Sequence, residues 1–191
     1  MFYEGQIQAY PNLIAEQFKC NFIQPLLNPD SIGIGFFGNS RLTLKKGNDN
    51  APSVMSYLAS HGDLEAFSKN IYLSQGPFNN LGVPGAKVIT AIAPGYGNIT
   101  KGEGNYNPFF KRITSDNEKA SVLSDALKIN PSFFSLFLGS NDVLAYALSG
   151  GTKDAITPIA GEPGIGFEQS LKFLINSLTS QGAKGVISNL P

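Results

Sequence analysis

Phe133, Phe134, Ser135, Leu136, Phe137 and Leu138 lead without a break into Gly139, Ser140, Asn141 and Asp142. An apolar run of strand length that opens directly into Gly-x-Asn-Asp constrains the chain strongly, because an open parallel sheet gathers its chemistry at the carboxyl ends of its strands. The run does not alternate between apolar and polar residues, so the expected element is a parallel strand buried on both faces, entered at Pro131. Gly139 then turns the chain, and residues 143–148 read as a helix. The Asn141 amide is expected at the top of the sheet beside that helix N-terminus, where an amide can donate to an oxyanion. Ser140, Asn141 and Asp142 are also favoured helix caps, and that plain reading stands beside the catalytic one.

A second motif shifts the balance. Asn79, Asn80, Leu81, Gly82, Val83, Pro84, Gly85, Ala86 and Lys87 set two glycines and a proline ahead of the apolar segment at residues 88–92. Gly85 can turn where a side chain would clash, which leaves its backbone N–H able to point at a ligand. Taken alone, the segment reads as an ordinary Pro-Gly turn. Taken together, Asn80-x-Gly82-x-x-Gly85 and Gly139-x-Asn141-Asp142 resemble the second and third sequence blocks of the SGNH, or GDSL-type, esterase and lipase family. The likeness runs in order along nearly the whole chain. It starts with Tyr3-Glu4-Gly5-Gln6 and Tyr10-Pro11-Asn12-Leu13, and it continues after the two blocks with Ile156-Thr157-Pro158 and Gly182-Ala183-Lys184-Gly185-Val186.

The resemblance implies an α/β fold with a three-layer, flavodoxin-like parallel sheet. It also implies an oxyanion hole made by the backbone N–H of Gly85 and the side-chain amide of Asn141, with the nucleophile's own N–H as third donor. The implied activity is serine ester hydrolysis through an acyl-serine, with a small-molecule, glycan or lipid ester as substrate and no metal or organic cofactor. In two respects the chain departs from the family pattern. The family's Gly-Asp-Ser block would lie before Met1 and its Asp-x-x-His block after Pro191, so residues 1–191 are expected to form one domain of this kind truncated at both ends. The missing first strand would be central, and the span alone is therefore expected to be unstable or aggregation-prone.

His61 is the sole histidine, in Ser60-His61-Gly62-Asp63-Leu64. Nothing in the motif pattern brings it to a nucleophile, and it is read as a solvent-facing residue. With no nucleophile in view, a binding protein on the same fold, recognising glycans or lipids through aromatic loops, remains a competing reading. An inactive gene fragment is a third.

Composition narrows the partners. Fourteen basic residues balance fourteen acidic ones, so no net field recruits nucleic acid or an anionic membrane. A hydrophobic content of 42% suffices for a core, and 191 residues fit one domain. No stretch approaches the length needed to span a bilayer. The single cysteine, Cys20, excludes an intramolecular disulfide and is read as a small apolar side chain between Phe18 and Phe22. Redox compartment, export and oligomeric state stay open.

Several further elements are expected. Pro11 opens a helix over residues 12–19 with Leu13, Ile14 and Phe18 on one face. Gly33-x-Gly35-x-x-Gly38 has the dinucleotide spacing, but a strand-like alternation at residues 39–44 follows it and the fingerprint is rejected. A short hairpin or an extended surface loop is the better reading there, with Gly47, Asn48, Asp49 and Asn50 as turn residues. Short helices are expected over residues 54–58 and 64–67.

The glycine- and aromatic-rich residues 94–109 read as a surface loop, with cleft lining as the alternative. Within it, Asn98-Ile99-Thr100 satisfies the glycosylation sequon. Ser115 and Glu118 spell a capping box for a helix bearing Leu123, Ala126 and Leu127. Phe167, Leu171, Leu174, Ile175 and Leu178 mark an amphipathic helix closed by Gly182, and residues 184–188 read as the next strand. The resulting order is strand, helix, strand, helix, strand, with about three parallel strands in all.

Overall fold

The computed structural model describes residues 1–34, 42–47, 50–56, 69–102, 104–152 and 156–190. It mixes helices with two small sheets, one of them parallel, which makes the chain α/β. His61, the glycines at 35 and 38, and the helix expected over residues 64–67 lie outside the described residues.

Two helices open the chain, α1 (Tyr3–Ile7) and α2 (Tyr10–Gln17). Pro11 sits in the first turn of α2, where its missing N–H costs nothing. The expected buried face is only partly so. Ala15 is the residue that α2 buries, while Leu13 is 43% and Phe18 65% exposed. Phe18 instead sets its ring edge against Phe133, with centroids 6.1 Å apart. Cys20 is exposed, a correction to its reading as a packed apolar side chain.

β1 (Leu42–Lys46) and β2 (Pro52–Ser56) pair antiparallel, with Leu42 opposite Ser56 and Lys46 opposite Pro52. The turn closes where expected. The Gly47 N–H donates to Ala51 O at 2.7 Å, and Asn50 takes a φ of +63° that asparagine tolerates. The helix expected from residue 54 is corrected at its start. Residues 54–56 belong to β2, where β1 pairs with them; the remainder falls outside the described residues.

Short helices α3 (Tyr72–Gln75), α4 (Val88–Ala91) and α5 (Pro108–Ile113) surround the second motif. Next comes α6 (Val122–Lys128), whose N-cap is Ser121 and not Ser115. Ser121 and Ser124 cap each other reciprocally, whereas the Ser115 N–H and hydroxyl both go to Asp125. Asp116 takes the Glu118 and Lys119 N–H groups in a separate turn. The capping box was thus legible in kind but misplaced, because a carboxylate from inside the helix captured the expected cap.

β3 (Phe133–Leu136) and β4 (Lys184–Ile187) form the parallel pair, with Phe133 opposite Lys184 and Leu136 opposite Ile187. Among the described residues β3 pairs with β4 alone, so two parallel strands are seen where about three were expected. β3 is also not buried on both faces. Phe134, Leu136 and Leu138 pack inward, while Phe133 is 44% and Phe137 57% exposed. α7 (Ser140–Leu148) follows β3, and α8 (Phe167–Thr179) precedes β4. As the apolar spacing requires, α8 buries Leu174 and Leu178 and is followed by Gly182 at φ +90°. Each such leucine is worth about 1.5–3 kcal/mol by burial.

Two clusters of buried apolar side chains form among the described residues. One gathers Phe78, Ala86, Tyr96, Phe110 and Ile113 beneath the second motif; the other gathers Ala91, Leu123, Leu174 and Leu178 beneath β3. Val122 and Leu138 pack against both. Leu138 lies one residue before Gly139, so the turn that delivers Asn141 is anchored where the two clusters meet.

Candidate functional site

The chain leaves β3 through Gly139, which is buried at φ +116° with its face against Leu190 and Phe167. A side chain there would be strained by the backbone and would also sit 3.0 Å from Leu190, so glycine is the residue that fits. α7 begins at once, which puts Asn141 and Asp142 in its first turn. The Asn141 Nδ2 donates to Ala86 O at 2.9 Å. Asp142 is 1% exposed, and its Oδ2 accepts from the Val88 N–H at 3.0 Å. Neighbouring side chains of α7 therefore hold the segment on either side of Lys87.

That segment makes the turn its proline and glycine foretell. The Ala86 N–H donates to Val83 O at 3.1 Å and Gly85 takes φ +79°, the type II pattern with Pro84 and Gly85 as central residues. A Cβ on Gly85 would meet nothing closer than the Asn107 Nδ2 at 3.9 Å. Positive φ, rather than crowding, is thus what calls for glycine here. Gly85 is exposed, and among the described residues none accepts its N–H. Upstream, Asn80 Oδ1 accepts from the Gly82 N–H at 3.0 Å while its Nδ2 reaches Gln24 Oε1.

Asn107 is a participant that sequence reasoning passed over. It is 7% exposed, and its Nδ2 donates to Pro84 O at 2.9 Å and to the Tyr96 hydroxyl at 3.1 Å. Its Oδ1 caps α5 by accepting from Phe109 and Phe110 N–H groups. An asparagine before a proline is a readable N-cap. The reach of its amide to a carbonyl 23 residues earlier is not readable from spacing.

Of the residue pair expected at the site, Asn141 is tied to the peptide next to Gly85, and the Gly85 N–H has no acceptor among the described residues. An amide nitrogen carries two hydrogens. One is used on Ala86 O, and no acceptor among the described residues takes the second. Two N–H donors of this kind on fixed backbone can stabilise developing negative charge on oxygen.

A cleft of about 310 Å³ borders this motif at Asn80 and Gly82. Its walls are largely apolar, with Phe2, Ala9, Pro25, Phe109 and Ile113. Arg112 beside it is buried and spends its guanidinium on Pro25 O and Leu26 O at 2.8 and 2.7 Å. A second, more open groove of about 460 Å³ lies between α4 and the residue 94–107 loop, lined by Thr90, Tyr96, Lys101 and Asn105. Among the described residues no group of His, Cys, Asp and Glu side chains is placed to hold a metal ion, and no helix is long and apolar enough to cross a membrane.

The fold and site thus define an α/β protein with a turn-and-helix pair of backbone and amide donors. Compared with known protein families, curated proteins and solved structures, the chain matches none.

Proposed function

We propose that this chain carries the oxyanion-binding half of an SGNH-type serine esterase with a flavodoxin-like three-layer sheet. One observation carries the reading. Asn141, just past the carboxyl end of β3, donates to Ala86 O at 2.9 Å, and so joins the Gly-x-Asn-Asp turn to the Pro84 and Gly85 turn, whose Gly85 N–H has no acceptor among the described residues.

The chemistry follows from that pair. A serine hydroxyl attacks the ester carbonyl carbon and gives its proton to a base. The former carbonyl oxygen becomes an oxyanion, and it accepts from Gly85 N–H and from the remaining Asn141 Nδ2 hydrogen as charge develops. Collapse of the tetrahedral intermediate expels the alcohol and leaves an acyl-serine, which water then hydrolyses. The family resemblance assigns the serine and the base to segments flanking residues 1–191. The apolar cleft beside Asn80 and Gly82 suits an uncharged acyl or alkyl group.

The competing binding-protein reading relies on loop aromatics offered to a glycan or lipid. Of the aromatics in residues 94–109, Tyr96 is buried and stacked on Phe110 with ring centroids 6.0 Å apart, which removes it from such use, while Tyr106 and Phe109 are half-buried.

The test is turnover of short-chain p-nitrophenyl esters by the full-length protein and by its Asn141→Ala variant. Removing one oxyanion donor lowers turnover by about 100- to 1,000-fold in comparable sites. A full-length protein that hydrolyses esters equally well after this change sinks the assignment of Asn141, and one that hydrolyses none sinks the esterase reading.

A further inference from the structure

A β-turn with proline and glycine at its centre has two nearly equivalent forms. Types I and II differ by a flip of the central peptide, and glycine accepts the φ of either. In this chain the central peptide joins Pro84 to Gly85, and the flip decides which way the Gly85 N–H points. The peptide is planar and trans, so its C=O and N–H point in opposite directions. Whatever holds Pro84 O also aims the Gly85 N–H.

Asn107 holds Pro84 O, with its Nδ2 at 2.9 Å. The Asn107 side chain is itself fixed at every polar atom. Its second amide hydrogen goes to the Tyr96 hydroxyl, its Oδ1 accepts from Phe109 and Phe110 N–H groups, and its backbone N–H donates to Tyr96 O at 2.7 Å. Tyr96 is 4% exposed and packed on Phe110, so the assembly rests on the core. A hydrogen bond to a peptide carbonyl also polarises the N–H at its other end, which makes that N–H a better donor.

We propose that Asn107 is a positioning residue for the oxyanion donor: it selects the type II form of the turn and aims the Gly85 N–H away from the core. This rests on the esterase reading for its catalytic consequence, but the peptide orientation itself does not. Asn107 touches no substrate in this account and acts through Gly85.

Asn107→Asp separates the roles of this side chain. A carboxylate keeps both cap acceptors for α5, since aspartate caps helices as well as asparagine does. It donates nothing to Pro84 O and places one acceptor against another there. In the full-length protein this variant is expected to fold with a lowered melting temperature, since it buries a carboxylate against Pro84 O, to shift the Gly85 amide 15N resonance, and to lose about 10- to 100-fold in kcat at little-changed KM, as a misplaced catalytic group does.

A second measurement needs no variant. In the wild-type protein, a through-hydrogen-bond coupling between Asn107 Nδ2 and the Pro84 carbonyl carbon is expected, and its absence overturns the proposal. So does an Asn107→Asp protein whose Gly85 resonance and kcat match wild type. If the wild-type protein cleaves no ester, the esterase reading fails, and the coupling and the Gly85 resonance alone decide whether Asn107 sets this peptide.

Discussion

Asp142 Oδ2 accepts the Val88 N–H at 3.0 Å across 54 residues of chain, and both residues are buried. Val88 opens α4, so the bond satisfies one of the N–H groups that a helix start leaves without an intrahelical partner. The other oxygen, Asp142 Oδ1, is buried without a hydrogen-bond partner among the described residues, as is Thr157 Oγ1. Truncating Asp142 to alanine orphans the Val88 N–H in the core and is expected to cost about 1–3 kcal/mol. Asp142→Asn still offers an acceptor to Val88 and should stay within about 1 kcal/mol of wild type. Urea unfolding of both variants checks this, and equal losses in the two would mean that the Val88 bond is not what Asp142 contributes.

Gly85 gives a prediction that depends on backbone alone. A Cβ there has room, yet φ +79° is a conformation that residues with side chains rarely adopt. Gly85→Ala is therefore expected to strain the turn by about 1–2 kcal/mol or to flip its central peptide to type I, which turns the N–H away. A crystal structure of the variant distinguishes the outcomes. Unchanged φ with full stability would show that positive φ is not what selects glycine at this position.

Much of this arrangement could be read from the chain, and the misses share a cause. The period of Phe167 through Leu178 specified α8 because a one-sided helix declares its face locally. Gly139 and Pro84-Gly85 declared turns for the same reason. The apolar run of β3 could not say whether its second face is covered, since that depends on what packs there, and Phe133 and Phe137 prove to be exposed. Ser115 looked like a cap until Asp125, ten residues later, took its N–H. Asn107 escaped notice because its partner, Pro84, is remote in sequence. Local periodicity is legible in a chain, whereas long-range polar partners emerge only from the fold.

Asp125 holds the end of α5 to α6 and should be the costliest polar side chain to remove from this region. Its Oδ2 accepts from Thr114 Oγ1 at 2.9 Å and from the Ser115 N–H at 3.0 Å, and its Oδ1 faces Lys128 Nζ at 3.3 Å and the Ser115 hydroxyl. Asp125 is buried, while the Lys128 side chain is half exposed. Asp125→Ala strands the Ser115 N–H and leaves the buried Thr114 hydroxyl with only the longer 3.3 Å bond to Asp116 O, for an expected loss of about 1–3 kcal/mol. Lys128→Ala removes only a partner that water can replace and should cost under about 1 kcal/mol. Chemical denaturation of the pair tests the ranking, and comparable losses would show the ion pair, not the neutral donors, to be the larger contribution.

Asp116 makes the fold sensitive to acid in a defined direction. Its carboxylate accepts from the Glu118 N–H at 2.9 Å and from the Lys119 N–H at 3.2 Å. The Glu118 bond is the main reason its pKa lies below the ordinary aspartate value; desolvation opposes the shift, and the Lys119 N–H and the Lys119 and Lys128 charges, each a smaller effect, add to it. A carboxyl whose pKa is lower in the folded state than in the unfolded state stabilises the fold above its unfolded pKa, about 3.9. That contribution fades as pH falls below this value and is gone once pH passes the folded pKa. The difference in melting temperature between wild type and Asp116→Asn should accordingly be constant from neutral pH down to about 5 and shrink as pH drops through the range below 4. A titration of the Asp116 side-chain carbon by NMR gives the direct reading, and a midpoint at or above about 3.9 would contradict the lowered value.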